Sequence, residues 1–120
     1  MELILASQSK MRRHILECSN IVVTTVPTNI DEESITKSLI FENVSFRDIP
    51  DTLAEYKAKK ISAKNPEKWV LGCDQVLVFQ SKIYGKPASK KDLLERLQLL
   101  QGRQHRLITA NVIYKDAKPM

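Results

Sequence analysis

The lysine at position 57 lies in "LAEYKAKKI", a segment whose other residues predict an amphipathic helix. With a helical advance of about 100° per residue, Lys57 falls roughly 40° and Ile61 roughly 80° from Leu53. Lys57 therefore lies within the apolar stripe of that helix. Either its stem packs while its ammonium reaches water, or the ammonium faces a cleft, and the pattern leaves both interpretations open.

A second charge in apolar surroundings is Asp74, in "VLGCDQVLVF". An ionised carboxylate in such a strand needs a cation, a metal or strong donors, because leaving it bare costs several kcal/mol. A strand start or a bulge is the structural alternative, which the nearby Gly72 makes reasonable. We favour a functional carboxylate, because a hairpin would return Lys86 of "GKP" to the same end of the strand.

The third feature is "LILASQSKMRR", residues 3 to 13, which places Lys10, Arg12 and Arg13 at a predicted helix start. A helix N-terminus already carries positive partial charge, so cations there are unfavourable. A strand, a short hydroxyl-bearing loop and a helix N-terminus also form an anion site, because backbone N–H groups point outward. A bound oxyanion would explain the cations, and a basic surface helix is the equal alternative.

The elements that position these charges follow from hydrophobic spacing and turn residues. In the first half we predict a strand over Glu2–Ala6, a loop over Ser7–Ser9, a helix from Lys10 to Cys18 and a strand over Ile21–Val26. The stretch from Thr28 to Ile49 has no clear pattern, and its notable feature is the acidic "NIDEE".

In the second half of the sequence we predict a helix from Pro50 or Asp51 to Ala63 and a strand within "WVLGCDQVLVF". A turn at Gln80–Lys82 would then let "KIYG" pair back on this strand as a hairpin. Ser89 and Asp92 resemble a capping box for a helix that ends at Gly102. The last predicted strand is "RLITANVIY". Strands alternating with helices predict an α/β layered fold, although alternation does not fix the strand order.

The 120 residues predict a single domain with a net charge of +5, which favours anionic partners. Nucleic-acid binding is a disfavoured alternative, since only 6% of residues are aromatic. No apolar run approaches the roughly 20 residues of a membrane span, and we expect a cytoplasmic protein without membrane contact. Cys18 and Cys73 are expected to be reduced, buried thiols, and neither His14 nor His105 has metal-ligand spacing.

A series of motifs, in order and at the expected separations, resembles those of the Maf proteins, which are nucleoside triphosphate pyrophosphatases related in fold to the inosine triphosphatases. "LILASQSKMRR" is similar to the family's "LILAS-x-S-P-x-RR", "NIDE" to its acidic loop, "LAEYKAKK" to its "LA-x-x-KA" helix and "GCDQVLV" to its "G-x-D-x-V-x-V" strand. "GKP" and "QGRQHRLITA" resemble the segments that follow. The resemblance implies a layered α/β fold with a twisted mixed sheet flanked by helices.

The resemblance implies that four residues bind the triphosphate, with Ser9 and Arg12 in a phosphate-binding loop and Lys57 and Lys86 opposite. The implied reaction is attack of water on the α-phosphorus, which releases a nucleoside monophosphate and pyrophosphate. Such a reaction needs cations fixed in advance where charge builds on the leaving group.

Asp74 and Glu32 are the implied catalytic carboxylates. Asp74 is the general base or a metal-linked carboxylate, and Glu32 is a metal-linked acid. The expected cofactor is a divalent metal, Mg²⁺ first and Mn²⁺ as the alternative, because oxygen ligands and substrate phosphates suit Mg²⁺.

The stretch "GCDQV" resembles the "G-S-D-Q-V" subgroup, associated with 7-methylguanosine triphosphate, more than the "G-A-D-T" subgroup that takes thymidine and uridine triphosphates. Met11 and Gln75 are the implied specificity positions. Met11 stands where the family has a residue that distinguishes the subgroups, and Lys10 replaces the family's proline.

The resemblance also implies that the family's domain continues past residue 120. We expect the shortened sheet to have an exposed edge, which a homodimer would cover. A nucleotide-binding module without catalysis is the alternative function. The stretch Ser38–Asp48 matches no motif of the family.

Overall fold

The computed structural model describes residues 2–120, along which strands and helices alternate. The strands are β1 (Glu2–Leu5), β2 (Val22–Thr25), β3 (Val70–Phe79), β4 (Lys82–Tyr84), β5 (Arg106–Lys115) and β6 (Lys118–Pro119). The helices are α1 (Lys10–Cys18), α2 (Glu32–Phe41), α3 (Asp48–Lys64) and α4 (Lys90–Leu100). The predicted α/β class is confirmed.

The strands form one mixed sheet in the order β2-β1-β3-β5-β6, and β4 also pairs with β3. β1 runs parallel to both β2 and β3, with Ile4 opposite Val70. β5 runs antiparallel to β3 and places Ala110 opposite Asp74. The long strand β3 therefore pairs with three other strands, and Asp74 lies near its middle rather than at a strand start.

β3 and β4 form the predicted hairpin, in which Val78 is opposite Ile83. Gln80 and Ser81 connect them with φ angles of 49° and 59°. Two successive left-handed residues are typical of a type I′ turn, whose twist matches that of the flanking strands. The hairpin turns the chain back so that the segment after β4 approaches the middle of β3.

The close packing of α3 on β3 depends on Gly72. A Cβ atom added at Gly72 would lie 2.3 Å from the carbonyl oxygen of Ala54 and 2.8 Å from the Cβ of Ala58. The neighbouring face of α3 is buried and includes Leu53 and Ile61. Glycine therefore allows a separation between helix and strand that any larger residue would increase.

Several predicted boundaries were wrong by a few residues. Ala6 lies outside β1, and β2 lacks Ile21 and Val26. α3 begins at Asp48 rather than at Pro50 or Asp51, and it ends at Lys64 rather than Ala63. Pro50 is tolerated in the first turn because the N–H groups there have no partner within the helix.

The stretch without a predicted assignment contains α2. Asp31 caps this helix, since its carboxylate accepts a hydrogen bond from the Ser34 N–H at 3.1 Å. Glu32 and Glu33 follow in the first turn, where negative charge is favourable. No residue of α2 is buried, and Ile35 and Leu39, its apolar residues at helical spacing, are only partly covered.

Both cysteines are free, but only Cys73 is buried. Cys18 is exposed, so its prediction as a buried thiol is wrong. It ends α1 on a solvent-facing side, where its sulfur lies 3.6 Å from Nε2 of His14. Across residues 2–120, no helix combines the length and the apolar character needed to cross a bilayer.

Candidate active site

A cleft with a volume of about 840 Å³ lies beside β3. One side of the cleft is formed by the loop after β1 together with α1, and by α2 with the segment before it. The remaining walls are formed by α3, by β3, and by β4 with the segment that follows it. The charged residues that line it are Arg12, Glu32, Glu33, Lys37, Lys57, Asp74 and Lys86. Chain segments far apart in sequence thus place cations and carboxylates around one space.

Lys57 lies at the centre of the charged cluster, where it is only 5% exposed. Its Nζ lies 2.5 Å from Oε1 of Glu32 and 3.2 Å from Oδ1 of Asp74. It also donates to the carbonyl oxygen of Cys73 at 3.2 Å. The ammonium therefore faces the cleft and joins two carboxylates, and the interpretation that it reaches bulk water is wrong.

Asp74 is 6% exposed and uses only one of its two carboxylate oxygens in these contacts. Its Oδ2 is buried and has no hydrogen-bond partner among the residues that the structure describes. Burial raises the pKa of the Asp74 carboxyl above its ordinary value, an effect that Lys57 opposes and that nearby Glu32 increases. Asp74 thus combines an available lone pair with raised basicity.

The start of α1 contributes Arg12 to the cleft. Ser9 caps the helix, and its Oγ accepts a hydrogen bond from the Arg12 N–H at 3.2 Å. The Arg12 guanidinium donates to the Cys73 carbonyl oxygen and to Oγ of Ser7, both at 3.4 Å. Lys57 and Arg12 therefore share one carbonyl oxygen, which brings two positive charges together at the edge of β3.

Arg12 and Arg13 differ in their surroundings, although they are neighbours in sequence. Arg13 forms an exposed ion pair with Glu17 at 2.7 Å. Arg12 forms no ion pair with a carboxylate within residues 2–120. Only Arg12 therefore offers the cleft an unpaired positive charge from this helix.

Lys86 reaches the cleft from the other side, after the β3–β4 hairpin. Gly85, Lys86 and Ala88 all line the cleft. In the part of the chain that the structure describes, Lys86 forms no ion pair of its own. Lys86 and Asp74 thus line the same cleft, and the hairpin expected from the sequence is what brings the segment with Lys86 to it.

The predicted site residues do not all line the cleft. Gln75 does line it, and its side-chain amide donates to Oγ1 of Thr109 at 2.8 Å. Ser9 caps α1 and is not among the lining residues. Met11 is 67% exposed on α1 and also lies outside the lining. The structure therefore gives Met11 no contact with a ligand in the cleft.

Seven further polar residues of the described part of the chain line the cleft and were not identified from the sequence, and three of them are Thr28 and Asn29 before α2 and Glu33 on it. Ser7 and Gln8 lie in the loop after β1, and Thr36 and Lys37 lie on α2. The hydroxyl-bearing loop was a usable signal for Ser7. The residues of α2 gave no such signal, because that helix was not predicted.

Two carboxylates are available for a metal in this cleft. No group of three or more His, Cys, Asp or Glu residues within residues 2–120 could hold a metal ion. Glu32 and Asp74 contact the same ammonium, and Oδ2 of Asp74 is free of other partners. Such a pair suits a cation that takes one or two protein carboxylates together with substrate phosphates, as Mg²⁺ commonly does.

Several curated proteins are similar to nearly the whole of this chain. A relative from Roseobacter denitrificans (strain ATCC 33942 / OCh 114), named nucleoside triphosphate pyrophosphatase, is 47% identical over 118 residues, which is 98% of this chain and 59% of the relative. A relative of the same name from Ruegeria sp. (strain TM1040) is 43% identical with the same coverage. A relative from Mesorhizobium japonicum (strain LMG 29417 / CECT 9101 / MAFF 303099), named 7-methyl-GTP pyrophosphatase, is 37% identical over 117 residues, 98% of this chain and 59% of the relative.

The chain spans about three fifths of the length of these curated relatives. The sequence profile of a family described as "Maf-like protein" matches residues 2–119, nearly the whole chain. The chain therefore belongs to the Maf-like family.

Proposed function

We propose that this chain binds a nucleoside triphosphate and hydrolyses it to a nucleoside monophosphate and pyrophosphate. The observation that carries the proposal is the buried contact of Lys57 with Glu32 and Asp74 in a cleft that Arg12 and Lys86 also line. The names of the curated relatives support the same activity. Because the chain spans about three fifths of those relatives, the activity of this chain is itself part of the proposal.

Three cations bind the triphosphate in this proposal. Arg12 and Lys86 lack carboxylate partners within the described residues, so they can contact phosphate oxygens without first breaking an ion pair. Lys57 is held between two carboxylates and shares the Cys73 carbonyl with Arg12. Cations fixed before the reaction stabilise the charge that builds on departing pyrophosphate without reorganising in the transition state.

Asp74 acts on the attacking water. Its buried Oδ2 has no protein donor within residues 2–120, and its pKa is raised by burial. A carboxylate with raised basicity orients water and accepts its proton more readily than an ordinary aspartate does. Lys57 holds the other carboxylate oxygen and fixes the direction of Oδ2.

Glu32 and Asp74 are the residues that would hold a divalent metal, with Mg²⁺ first and Mn²⁺ as the alternative. The all-oxygen donor set fits such an ion. A metal on Oδ2 of Asp74 would take the place of the water that this oxygen otherwise orients, so Glu32 is the ligand that leaves the base role of Asp74 intact. When bound, the metal supplies charge neutralisation on the phosphate oxygens. The protein's part is then to present both carboxylates, which requires Lys57 to share or release its contact with Glu32.

The proposed substrate is a modified purine nucleotide, 7-methylguanosine triphosphate. The stretch "GCDQV" and the similarity to the Mesorhizobium japonicum protein named 7-methyl-GTP pyrophosphatase support this preference. Gln75 is the proposed specificity residue, because it lines the cleft and has an amide held by Thr109. Thymidine and uridine triphosphates are the alternative substrates.

A pyrophosphate-release screen tests the function. It would cover 7-methylguanosine, guanosine, thymidine and uridine triphosphates with Mg²⁺ or Mn²⁺. We expect turnover to fall by about 10² to 10⁴-fold in Asp74→Asn while nucleotide binding changes little, because the base is lost and the cations remain. Asp51→Asn is the matched control, since Asp51 is an exposed aspartate of α3.

The outcomes of the screen separate the alternatives. Turnover that survives in Asp74→Asn would contradict the assigned base. Binding of a triphosphate by calorimetry, without product at any metal, would identify a nucleotide-binding module. Absence of both binding and turnover would overturn the proposal.

We also propose that the chain forms a homodimer. Several large apolar residues are exposed on α4 and on the outward side of β5, namely Leu93, Leu94, Leu97, Leu99, Leu107 and Ile113. Burying such residues against a second copy would remove apolar surface from water, which is the main favourable contribution to association.

A further inference from the structure

Arg96 of α4 contacts the segment that carries Lys86. Its Nη1 donates to the carbonyl oxygen of Gly85 at 2.5 Å. Its guanidinium carbon lies 5.3 Å from the centroid of the Tyr84 ring. The Arg96 side chain is only 15% exposed, although no residue of α4 is buried. This surface helix is therefore joined by one arginine to the last residue of β4 and to the residue that follows it.

Asp92 extends the same contact to the other end of the segment. Its Oδ2 accepts a hydrogen bond from the Ala88 N–H at 2.9 Å and lies 3.7 Å from Nη2 of Arg96. Ser89 caps α4, and its Oγ accepts from the Asp92 N–H at 3.1 Å. Arg96 thus binds Gly85 directly and Ala88 through Asp92, so the residues between these two are held at both ends.

The clamped segment borders the cleft. Gly85, Lys86 and Ala88 line it, and Lys86 has no ion pair among the described residues to fix its side chain. The backbone of this segment therefore fixes where the Lys86 side chain begins, and the side chain itself is not held by a carboxylate of residues 2–120. Contacts that hold the backbone at Gly85 and Ala88 keep that starting point at the cleft.

We propose that Arg96 is a positioning residue that holds Lys86 at the cleft for phosphate binding. The role of Lys86 rests on the proposed function, whereas the clamp itself rests on contacts in the structure. The chemistry requires arginine, because a planar guanidinium can donate to a carbonyl, stack on an aromatic ring and face a carboxylate at once. A lysine keeps the charge but not these simultaneous contacts.

The first measurement concerns the clamp alone and needs no ligand. Hydrogen exchange followed by mass spectrometry is compared for peptides spanning residues 82–90 in wild type, Arg96→Ala, Arg96→Lys and Arg103→Ala. Arg103→Ala is the matched control, because Arg103 is exposed and follows α4. We expect about tenfold faster exchange at Ala88, whose N–H is the one bonded to Asp92, in Arg96→Ala, an intermediate increase in Arg96→Lys and no change in the control. Unchanged exchange in Arg96→Ala would overturn the clamp.

The second measurement tests whether Arg96 acts through Lys86. Calorimetry with inorganic tripolyphosphate and Mg²⁺ compares wild type, Arg96→Ala, Lys86→Ala and the double variant. Loss of a hydrogen bond to a charged group predicts roughly tenfold weaker binding in Lys86→Ala. We expect a several-fold loss in Arg96→Ala and less than about twofold further loss when it is added to Lys86→Ala, because interacting residues are not additive.

The two measurements test different claims, and each can be contradicted without the other. Additive losses in the double variant would show that Arg96 acts on the anion independently of Lys86, and would overturn the positioning role. If wild type binds neither tripolyphosphate nor any nucleoside triphosphate, the proposed function has failed. The exchange data then still decide whether Arg96 clamps the segment. Circular dichroism and melting of each variant confirm that the sheet is intact.

Discussion

Lys57 is the residue on which the charge balance of the cleft depends. It is buried, and it contacts the carboxylates of Glu32 and Asp74 together with one backbone carbonyl. Asp74 is buried beside it, whereas the Glu32 side chain is 46% exposed. The two ion pairs therefore differ in kind, since the pair with Asp74 is shielded from water and the pair with Glu32 is partly screened by it.

Replacing Lys57 by methionine should destabilise the protein while preserving its packing volume. Removal of one partner of a buried pair leaves an uncompensated charge and costs about 3 to 5 kcal/mol. Partial exposure of Glu32 and proton uptake by Asp74 will reduce the loss, so we expect about 2 to 4 kcal/mol at pH 7 in urea denaturation. Lys59→Met, an exposed lysine of the same helix, is the control. Equal stability of the two variants would contradict a buried ion pair.

The raised pKa of Asp74 predicts an unusual dependence of stability on pH. Burial is the main cause of the shift, so the folded protein binds the Asp74 proton more tightly than the unfolded chain does. The contribution of Asp74 to the free energy of unfolding must then fall as pH rises from the ordinary aspartate value of 3.8 through the raised pKa, and stay constant above it.

Comparison of Asp74→Asn with wild type isolates this contribution, because asparagine resembles a protonated aspartate. Urea denaturation from pH 4 upward should show the stability of wild type falling relative to the variant as Asp74 ionises. A stability difference that is independent of pH, or that moves in favour of wild type, would exclude a raised pKa.

At the scale of elements, the parts of the fold that could be predicted were those with strong local signals. α1 was predicted with its observed bounds, and the cap at Ser89 and the hairpin after β3 were also found. α2 was missed because its signals are weak, namely the cap at Asp31, the acidic first turn and a short apolar spacing of partly covered residues. β6 has two residues and exists through its pairing with β5, which no local pattern indicates.

The contact between α3 and β3 predicts the behaviour of Gly72→Ala. The new Cβ would fall 2.3 Å from a backbone oxygen, which cannot turn aside as a flexible side chain could. α3 must move away from β3, and Lys57 must move with it. We expect a loss of about 1 to 3 kcal/mol in stability and a lower turnover number.

Gly85→Ala provides the matched stability control for this prediction. An added Cβ at Gly85 meets nothing within 4 Å, so its melting temperature should stay close to that of wild type. A Gly72→Ala variant as stable as Gly85→Ala would show that the helix does not depend on the glycine contact.

At the scale of the whole molecule, the α/β class followed from the alternation of strands and helices, whereas the strand order did not. β5 lies beside β3 and runs antiparallel to it, although β1, β2 and β3 are parallel to one another. This placement depends on tertiary packing and not on a local sequence pattern. Arg12, Glu32, Lys57, Asp74 and Lys86, which the structure shows to line one cleft, could be named one by one from the residues and the family resemblance. The sequence could not show that Lys57 joins the two carboxylates, because that contact requires α2, which was missed.

The exposed leucines of α4 and β5 make the assembly state testable. Sedimentation velocity over a range of protein concentrations should show a dimer, because burial of these apolar side chains stabilises association. Leu97→Glu should shift the population toward monomer, whereas Lys91→Glu, on the same helix, should not. A monomer at all concentrations would contradict the homodimer.

The position of β3 has a consequence for the order in which the protein becomes functional. This strand pairs with β1, in which Ile4 precedes its partner Val70 by 66 residues, and with β5, whose residues follow their partners by 28 residues at Val78 and Arg106 and by 44 at Val70 and Tyr114. Pairings of such long sequence separation form slowly, because chain entropy is lost before the contacts are gained. Asp74 lies opposite Ala110 of β5, so the strands around the site are all in place only after residues 106–115 have paired with β3. The site is therefore completed late in folding, well after its own charged residues have been joined to the chain.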